Sequence, residues 1–140
     1  LSPLSRASDN AAQRARADAA LALVGLTGRA SLRASALSHG EQRQLEIAMV
    51  VATDPKVVLL DEPLAGMGQA ESRAMVEIIR RLREARAVLL IEHDMDAVFA
   101  VADRLTVMAD GRVIATGNPQ EIRAHPAVRA AYLGAETLHA

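Results

Sequence analysis

The chain contains no cysteine and no tryptophan, so disulfide cross-links, a thiol nucleophile and a cysteine zinc site are excluded. Aromatic side chains are nearly absent, with Phe99 and Tyr132 alone, which leaves no stacking platform for bases. Charge of one sign is also missing. Lys+Arg number 16 against Asp+Glu 17, a formal net charge of -1, so no basic field would hold nucleic acid or an acidic membrane surface. The apolar runs 57–60 and 87–91 are far shorter than the roughly 20 residues a membrane-spanning helix needs. Against these absences stand 140 residues with 51% hydrophobic content, enough for one domain whose core must be built from Ala, Val, Leu, Ile and Met.

Periodicity divides the chain into elements. Ser8 to Val24, Ala-rich and followed by Gly25, reads as a helix. Residues 26–37 lack clean periodicity and read as a surface connection containing a short turn. Ser38-His39-Gly40-Glu41 fits a capping box that starts a helix ending at Asp54-Pro55. Lys56 to Asp61, an apolar run without polar alternation between Pro55 and Pro63, predicts a strand of a parallel sheet covered on both faces. Met75, Ile78, Ile79 and Leu82 mark the apolar stripe of a helix over 69–86, with the Arg80 to Arg86 run as its solvated face. A second buried strand, 87–92, completes a βαβ unit. Met95, Val98, Phe99 and Ala102 repeat the helical spacing, and Asp110-Gly111 between two apolar runs predicts a hairpin. Asn118-Pro119-Gln120-Glu121 starts a last helical region that breaks at Pro126. Met67, Met75, Met95 and Met108 read as core or loop filler, and His125 and His139 as surface residues.

The chemistry-bearing residues lie where a parallel sheet presents its ligand edge. Asp61 and Glu62 end the first strand, and neighbours on a strand point to opposite faces, so one could hold Mg²⁺ through water while the other accepts a proton from an attacking water. The same two carboxylates could equally cap the following helix. Glu92-His93-Asp94 ends the second strand; if the strands are parallel, His93 lies beside the carboxylates and can donate to a phosphate oxygen. Ser38 and Gly40 open a helix whose amides and dipole suit an anion, although a capping box alone accounts for Ser38 as well.

Taken in order, Leu37-Ser38-His39-Gly40-Glu41-Gln42, Val57-Val58-Leu59-Leu60-Asp61-Glu62-Pro63, Leu64-Ala65-Gly66-Met67 and Ile91-Glu92-His93-Asp94-Met95 closely resemble the nucleotide-binding subunit of ABC transporters. In that family these are the signature motif, the Walker B strand, the D-loop and the switch-histidine region. The tail 118–134 resembles the branch serving branched-chain amino acid importers, with urea-type importers near it. The resemblance implies the C-terminal half of a P-loop NTPase: an α/β fold with a mostly parallel sheet, a β-hairpin and C-terminal helices. Residues 1–55 would belong to a helical subdomain, 56–117 to the ATPase core and 118–140 to a helical tail.

The resemblance further implies that Asp61 holds Mg²⁺ through water, that Glu62 is the general base and that His93 senses the γ-phosphate of ATP. Ser38, His39, Gly40 and Glu41 would contact the ATP held by an opposite subunit. The implied partners are that second ATP-binding subunit, transmembrane permease subunits and, indirectly, a solute-binding protein, with the protein peripheral on the cytoplasmic face of the inner membrane and no nucleic acid involved. Hydrolysis would energise uptake of branched-chain or other hydrophobic amino acids. Two departures bear on this. Gly68 stands where the D-loop usually carries Asp, Asn or Thr, and no G-x-x-x-x-G-K-S/T occurs; Lys56, the single lysine, lies between Pro55 and Val57. The phosphate cradle and the glutamine loop are therefore expected in an N-terminal part of roughly a hundred residues, and the fragment alone is expected to be inactive. Without the P-loop strand, the hairpin would move beside 87–91 or the fragment would self-associate through that edge.

A non-transport ABC-type ATPase of DNA repair or translation shares the motifs. A stand-alone metal hydrolase using Asp61, Glu62 and His93, and a non-catalytic fragment competing for a partner subunit or permease, are the other readings.

Overall fold

A computed structural model describes the backbone of residues 3–133 and the side chains of 10–132. His139 and the last residue of the 118–134 tail lie outside the described residues. Packing divides the chain into two compact units, 1–94 and 95–140.

The first unit begins with α1 (Pro3–Leu23), which packs on α2 (His39–Val51). Between them the predicted surface connection is drawn into two 3₁₀ turns, Thr27–Arg29 and Ala34–Ala36. Ala20, Val24 and Leu26 are buried at the end of α1, where Gly25 takes φ +80° and turns the chain out of the helix. The expected capping box is present at α2: the Glu41 amide donates to Ser38 Oγ at 3.2 Å, and the Ser38 amide donates to Glu41 Oε2 at 2.9 Å. A cap of this kind is worth about 1 kcal/mol. The helix ends at Val51, and the chain turns through Asp54, at φ +55°, into β1 (Val57–Asp61).

β1 pairs in parallel with β2 (Ala87–Ile91), Val57 opposite Ala87 and Asp61 opposite Ile91, so both strands end at one edge. The crossover is α3 (Gln69–Arg83), whose Met75, Ile78, Ile79 and Leu82 are all buried, as the 3.6-residue spacing requires. Truncating such a residue to Ala costs about 2–5 kcal/mol. Arg80, Arg81 and Arg83 occupy the last turn, where positive charge complements the helix dipole.

The expectation that β1 and β2 are covered on both faces is corrected. Val58 and Leu60 are buried, whereas Val57 (54% exposed), Leu59 (71%), Leu89 (57%) and Ile91 (57%) lie bare on the other side. An unbroken apolar run states what a strand is able to bury, and here only one face of the sheet has a covering layer among the described residues.

The second unit holds α4 (Met95–Val101), the antiparallel hairpin β3 (Leu105–Ala109) and β4 (Arg112–Gly117), and the short helices α5 (Pro119–Ala124) and α6 (Pro126–Val128), continued by a wide turn over Arg129–Leu133. Asp110 and Gly111 both take positive φ, +49° and +73°, the geometry a two-residue hairpin turn demands. Asn118 Oδ1 accepts from the Gln120 and Glu121 amides, each at 2.9 Å, which starts α5 at the position read from the sequence. Leu105, Val107, Ala115, Ile122 and Val128 form the core, lined by Phe99, over which the Arg123 guanidinium stacks at 4.2 Å. Met108 is 52% exposed rather than core filler, its carbonyl accepting from the Tyr132 hydroxyl. His125 is half-buried rather than superficial, with Nδ1 enclosed by the chain.

Of the two outcomes expected for the hairpin, pairing beside 87–91 is absent among the described residues. Among the described residues β2 pairs with β1 alone, and β3 with β4 alone.

Candidate functional site

Parallel pairing fixes the site. The ladder continues one residue past β1, the Glu62 amide donating to the Ile91 carbonyl at 2.9 Å, which locks the DEP turn to the end of β2. Pro63 disfavours a right-handed helical conformation at Glu62, and the backbone turns there with φ +44°. A bulky residue in that region carries strain on the order of 1–3 kcal/mol, which persists where the surroundings over-determine it. The chain then winds through two further turns, Ala65 amide to Glu62 carbonyl and Met67 amide to Leu64 carbonyl, each at 3.1 Å, the second made with Gly66 at φ +75°, and so reaches α3.

This brings the separated candidates together. His93 Nδ1 stands 3.5 Å from Glu62 Oε1 and 3.8 Å from Glu92 Oε2. Asp61, the residue before Glu62, is exposed at the same strand end, beside Ile91 in the register. An exposed carboxylate next to a potential base suits a Mg²⁺ ion that keeps most of its water and shares phosphate oxygens. Among the described residues no group of three or more His, Asp or Glu side chains is gathered as a metal cage.

The second cluster is the start of α2. Ser38, His39, Gly40 and Glu41 supply the helix N-terminus, with Gly40 buried. Glu41 is tied to Arg29 at 2.8 Å, a partner from the first 3₁₀ turn, Thr27–Arg29. Its carboxyl is held below the ordinary value of 4.5, first by the Ser38 backbone N–H and then by the Arg29 side chain. The Gly66 turn passes near His39: a methyl group at Gly66 would lie 3.7 Å from His39 Nε2. At Gly40 a Cβ would meet the Glu71 carboxylate at 2.5 Å, and Glu71 also accepts from the Gly68 amide at 3.2 Å, closing the first turn of α3. Gly68 itself has φ -73° and open space where a side chain would stand, so neither backbone nor packing demands glycine there.

Three residues of the site escaped the sequence reading. Glu92 is a buried carboxylate bridging the two loops, Glu71 seats the start of α3 against Gly40, and Arg29 clamps Glu41. Their partners lie 28, 31 and 12 residues away, beyond the reach of local periodicity.

Comparison with known proteins gives a consistent picture. The ABC transporter family pattern matches residues 1–65, and the family described as branched-chain amino acid ATP-binding cassette transporter matches residues 112–137. The high-affinity branched-chain amino acid transport ATP-binding protein LivG of Salmonella typhimurium is 44% identical over 121 residues, 85% of this chain and 48% of LivG. The Fe(3+) ions import ATP-binding protein FbpC of Streptomyces coelicolor is 39% identical over 127 residues, 89% of this chain and 36% of FbpC. The ADP conformation of MJ1267, an ATP-binding cassette of an ABC transporter, superimposes with a TM-score of 0.75 at 28% identity over 87% of this chain and 50% of MJ1267. The chain thus spans about half the length or less of the relatives it matches.

Proposed function

Because this chain belongs to the ABC transporter ATP-binding family, we propose that it supplies the hydrolytic edge and the signature helix of an importer's ATP-binding subunit. The observation that carries the reading is the approach of His93 Nδ1 to Glu62 Oε1 at 3.5 Å, at the shared end of two parallel strands. In it, Glu62 accepts the proton of the water that attacks the γ-phosphate of ATP, a contribution on the order of 10²- to 10⁴-fold. His93 donates to the phosphate oxygens, and its nearness to the base ties base and phosphate to one geometry. Asp61 would hold Mg²⁺ through water, and the ion supplies neutralisation of charge on the phosphates. Ser38, His39, Gly40 and Glu41 face the ATP of an opposing subunit, whose phosphate the α2 amides and dipole favour.

The nucleotide cradle is not encoded here, since no G-x-x-x-x-G-K-S/T occurs in the 140 residues. The working unit in this reading combines these residues with a P-loop-bearing half, pairs with a second subunit and attaches to permease subunits on the cytoplasmic face of the inner membrane. No helix among the described residues is long and apolar enough to cross a membrane itself. The solute is a branched-chain or other hydrophobic amino acid. That choice rests on the branched-chain family match over 112–137 and on what LivG is named for.

The test is reconstitution. The chain alone should hydrolyse no ATP, and a cassette completed by a P-loop half should hydrolyse it and, with a branched-chain amino acid permease, drive uptake of labelled leucine. ATP turnover by the chain alone, or a completed cassette that powers ferric iron uptake but not leucine uptake, would contradict the respective part of the reading.

A further inference from the structure

The mechanism proposed above leaves one buried charged group without a task. The Glu92 side chain is 1% exposed, although its neighbour His93 is 72% exposed and Glu62, across from it, 54%. A carboxylate is costly to bury, and is tolerated when donors saturate its oxygens. Its hydrogen-bond donors are backbone amides from both loops of the site, with His93 Nδ1 a further contact 3.8 Å from Oε2. Oε1 accepts from the Leu64 amide at 2.9 Å; Oε2 accepts from the His93 amide at 3.0 Å and the Asp94 amide at 3.4 Å.

The choice of Leu64 has a physical reason. Pro63 has no N–H, so the first amide after Glu62 able to reach a partner is that of Leu64. One carboxylate therefore grips the base-bearing turn immediately beyond the proline and, with its other oxygen, the first two amides of the histidine loop. We infer that Glu92 is a positioning residue: its carboxylate couples the Glu62 turn to the His93 loop and thereby sets the spacing of the two side chains. The inference rests on reading Glu62 and His93 as a functional pair. It adds the device that holds them.

The requirement is for a carboxylate specifically. Glutamine at position 92 would present one acceptor oxygen and one NH₂ group, and the NH₂ would confront amide donors on one side of the bridge. One loop or the other must let go, and its amide loses this partner. Aspartate, a methylene shorter, could serve one loop but would fall short of spanning both.

The experiment uses the 140-residue chain, labelled for NMR. At one fixed pH, the displacement of the His93 imidazole resonances caused by Glu62→Gln is measured in the wild-type background and again with Glu92→Gln. Coupling through Glu92 predicts that the displacement falls to about a third or less in the second background. A displacement of the same size in both backgrounds would overturn the inference, even if Glu92→Gln lowers overall stability. Should Glu92→Gln not fold, the wild-type protein decides by itself. A scalar coupling across the hydrogen bond from the Leu64 amide nitrogen to the Glu92 carboxyl carbon is expected, and its absence for a resolved Leu64 resonance would refute the bridge. No step of this test reads hydrolysis, so its failure is distinct from failure of the functional reading, which would show as unchanged ATP turnover on Glu62→Gln in a completed cassette.

Discussion

His93 Nδ1 lies 3.5 Å from Glu62 Oε1, with the two side chains 72% and 54% exposed. At such exposure their mutual attraction is worth little, about 0–1 kcal/mol even when the imidazole is charged, and cannot by itself hold the geometry. Hydrogen bonds to the backbone on both sides of the pair do so instead. The Glu62 amide is bound to the Ile91 carbonyl, Glu62 sits at φ +44°, and the Leu64 amide is bound to the Glu92 carboxylate. Strand pairing and the Glu92 bridge together hold the pair, and both side chains stay exposed at the strand ends.

The start of α2 should weaken in acid. Glu41 is held below the ordinary value of 4.5 by the Ser38 amide and by Arg29. A depressed folded pKa contributes stability that is complete above the unfolded value and is lost as pH falls through the folded one. Urea stability should therefore decline as pH drops below 4.5, and decline less steeply in a Glu41→Gln variant. Parallel pH profiles for the two proteins would show that this carboxylate does not contribute.

Substitution separates the capping role of Ser38 from the interface role proposed for it. Ser38→Ala removes the Oγ that accepts from the Glu41 amide and should cost about 1 kcal/mol in urea denaturation. In a completed cassette, Ser38→Arg should in addition block ATP-dependent pairing of subunits, since a long side chain would stand where the proposed function docks the partner's phosphate. ATP-driven dimerisation of Ser38→Arg equal to wild type, by light scattering, would remove this serine from the interface.

The bare sheet face should make the isolated chain self-associate. Leu59 and Leu89 are register partners, 71% and 57% exposed, flanked by Val57 and Ile91. Contiguous apolar surface of this kind seeks cover. Light scattering should show oligomers of the wild-type chain and a shift toward monomer in the Leu59→Lys/Leu89→Lys double variant. A wild-type chain that remains monomeric at high concentration would contradict the prediction.

What could be read from the sequence is what local chemistry determines. Ser38 with Glu41, Asp110 with Gly111, and Asn118 with Glu121 act within three residues of one another, and each proved to be the cap or turn expected. The α3 stripe from Met75 to Leu82 was legible because helical spacing writes burial into one segment. Burial on both faces of β1 was misread because Val57 and Leu59 say nothing about whether a covering layer exists. The Glu92 bridge was invisible for a different reason. A glutamate next to a histidine at a strand end looks solvated, and only the 28-residue return of the chain to Leu64 makes it a buried anchor. The positive φ at Glu62 likewise depends on its tie to Ile91, and proline after it indicates a turn without fixing its hand.

The central claim is that Glu62 is the base of an ATP hydrolysis site completed by a P-loop half. It is tested most directly by measuring ATP turnover and ATP binding together in such a completed cassette carrying Glu62→Gln, which keeps the shape of the side chain and removes its basicity. The account predicts that turnover falls on the order of 10²- to 10⁴-fold while ATP affinity is retained. Turnover within about twofold of wild type, or a loss of ATP binding matching the loss of turnover, would contradict it.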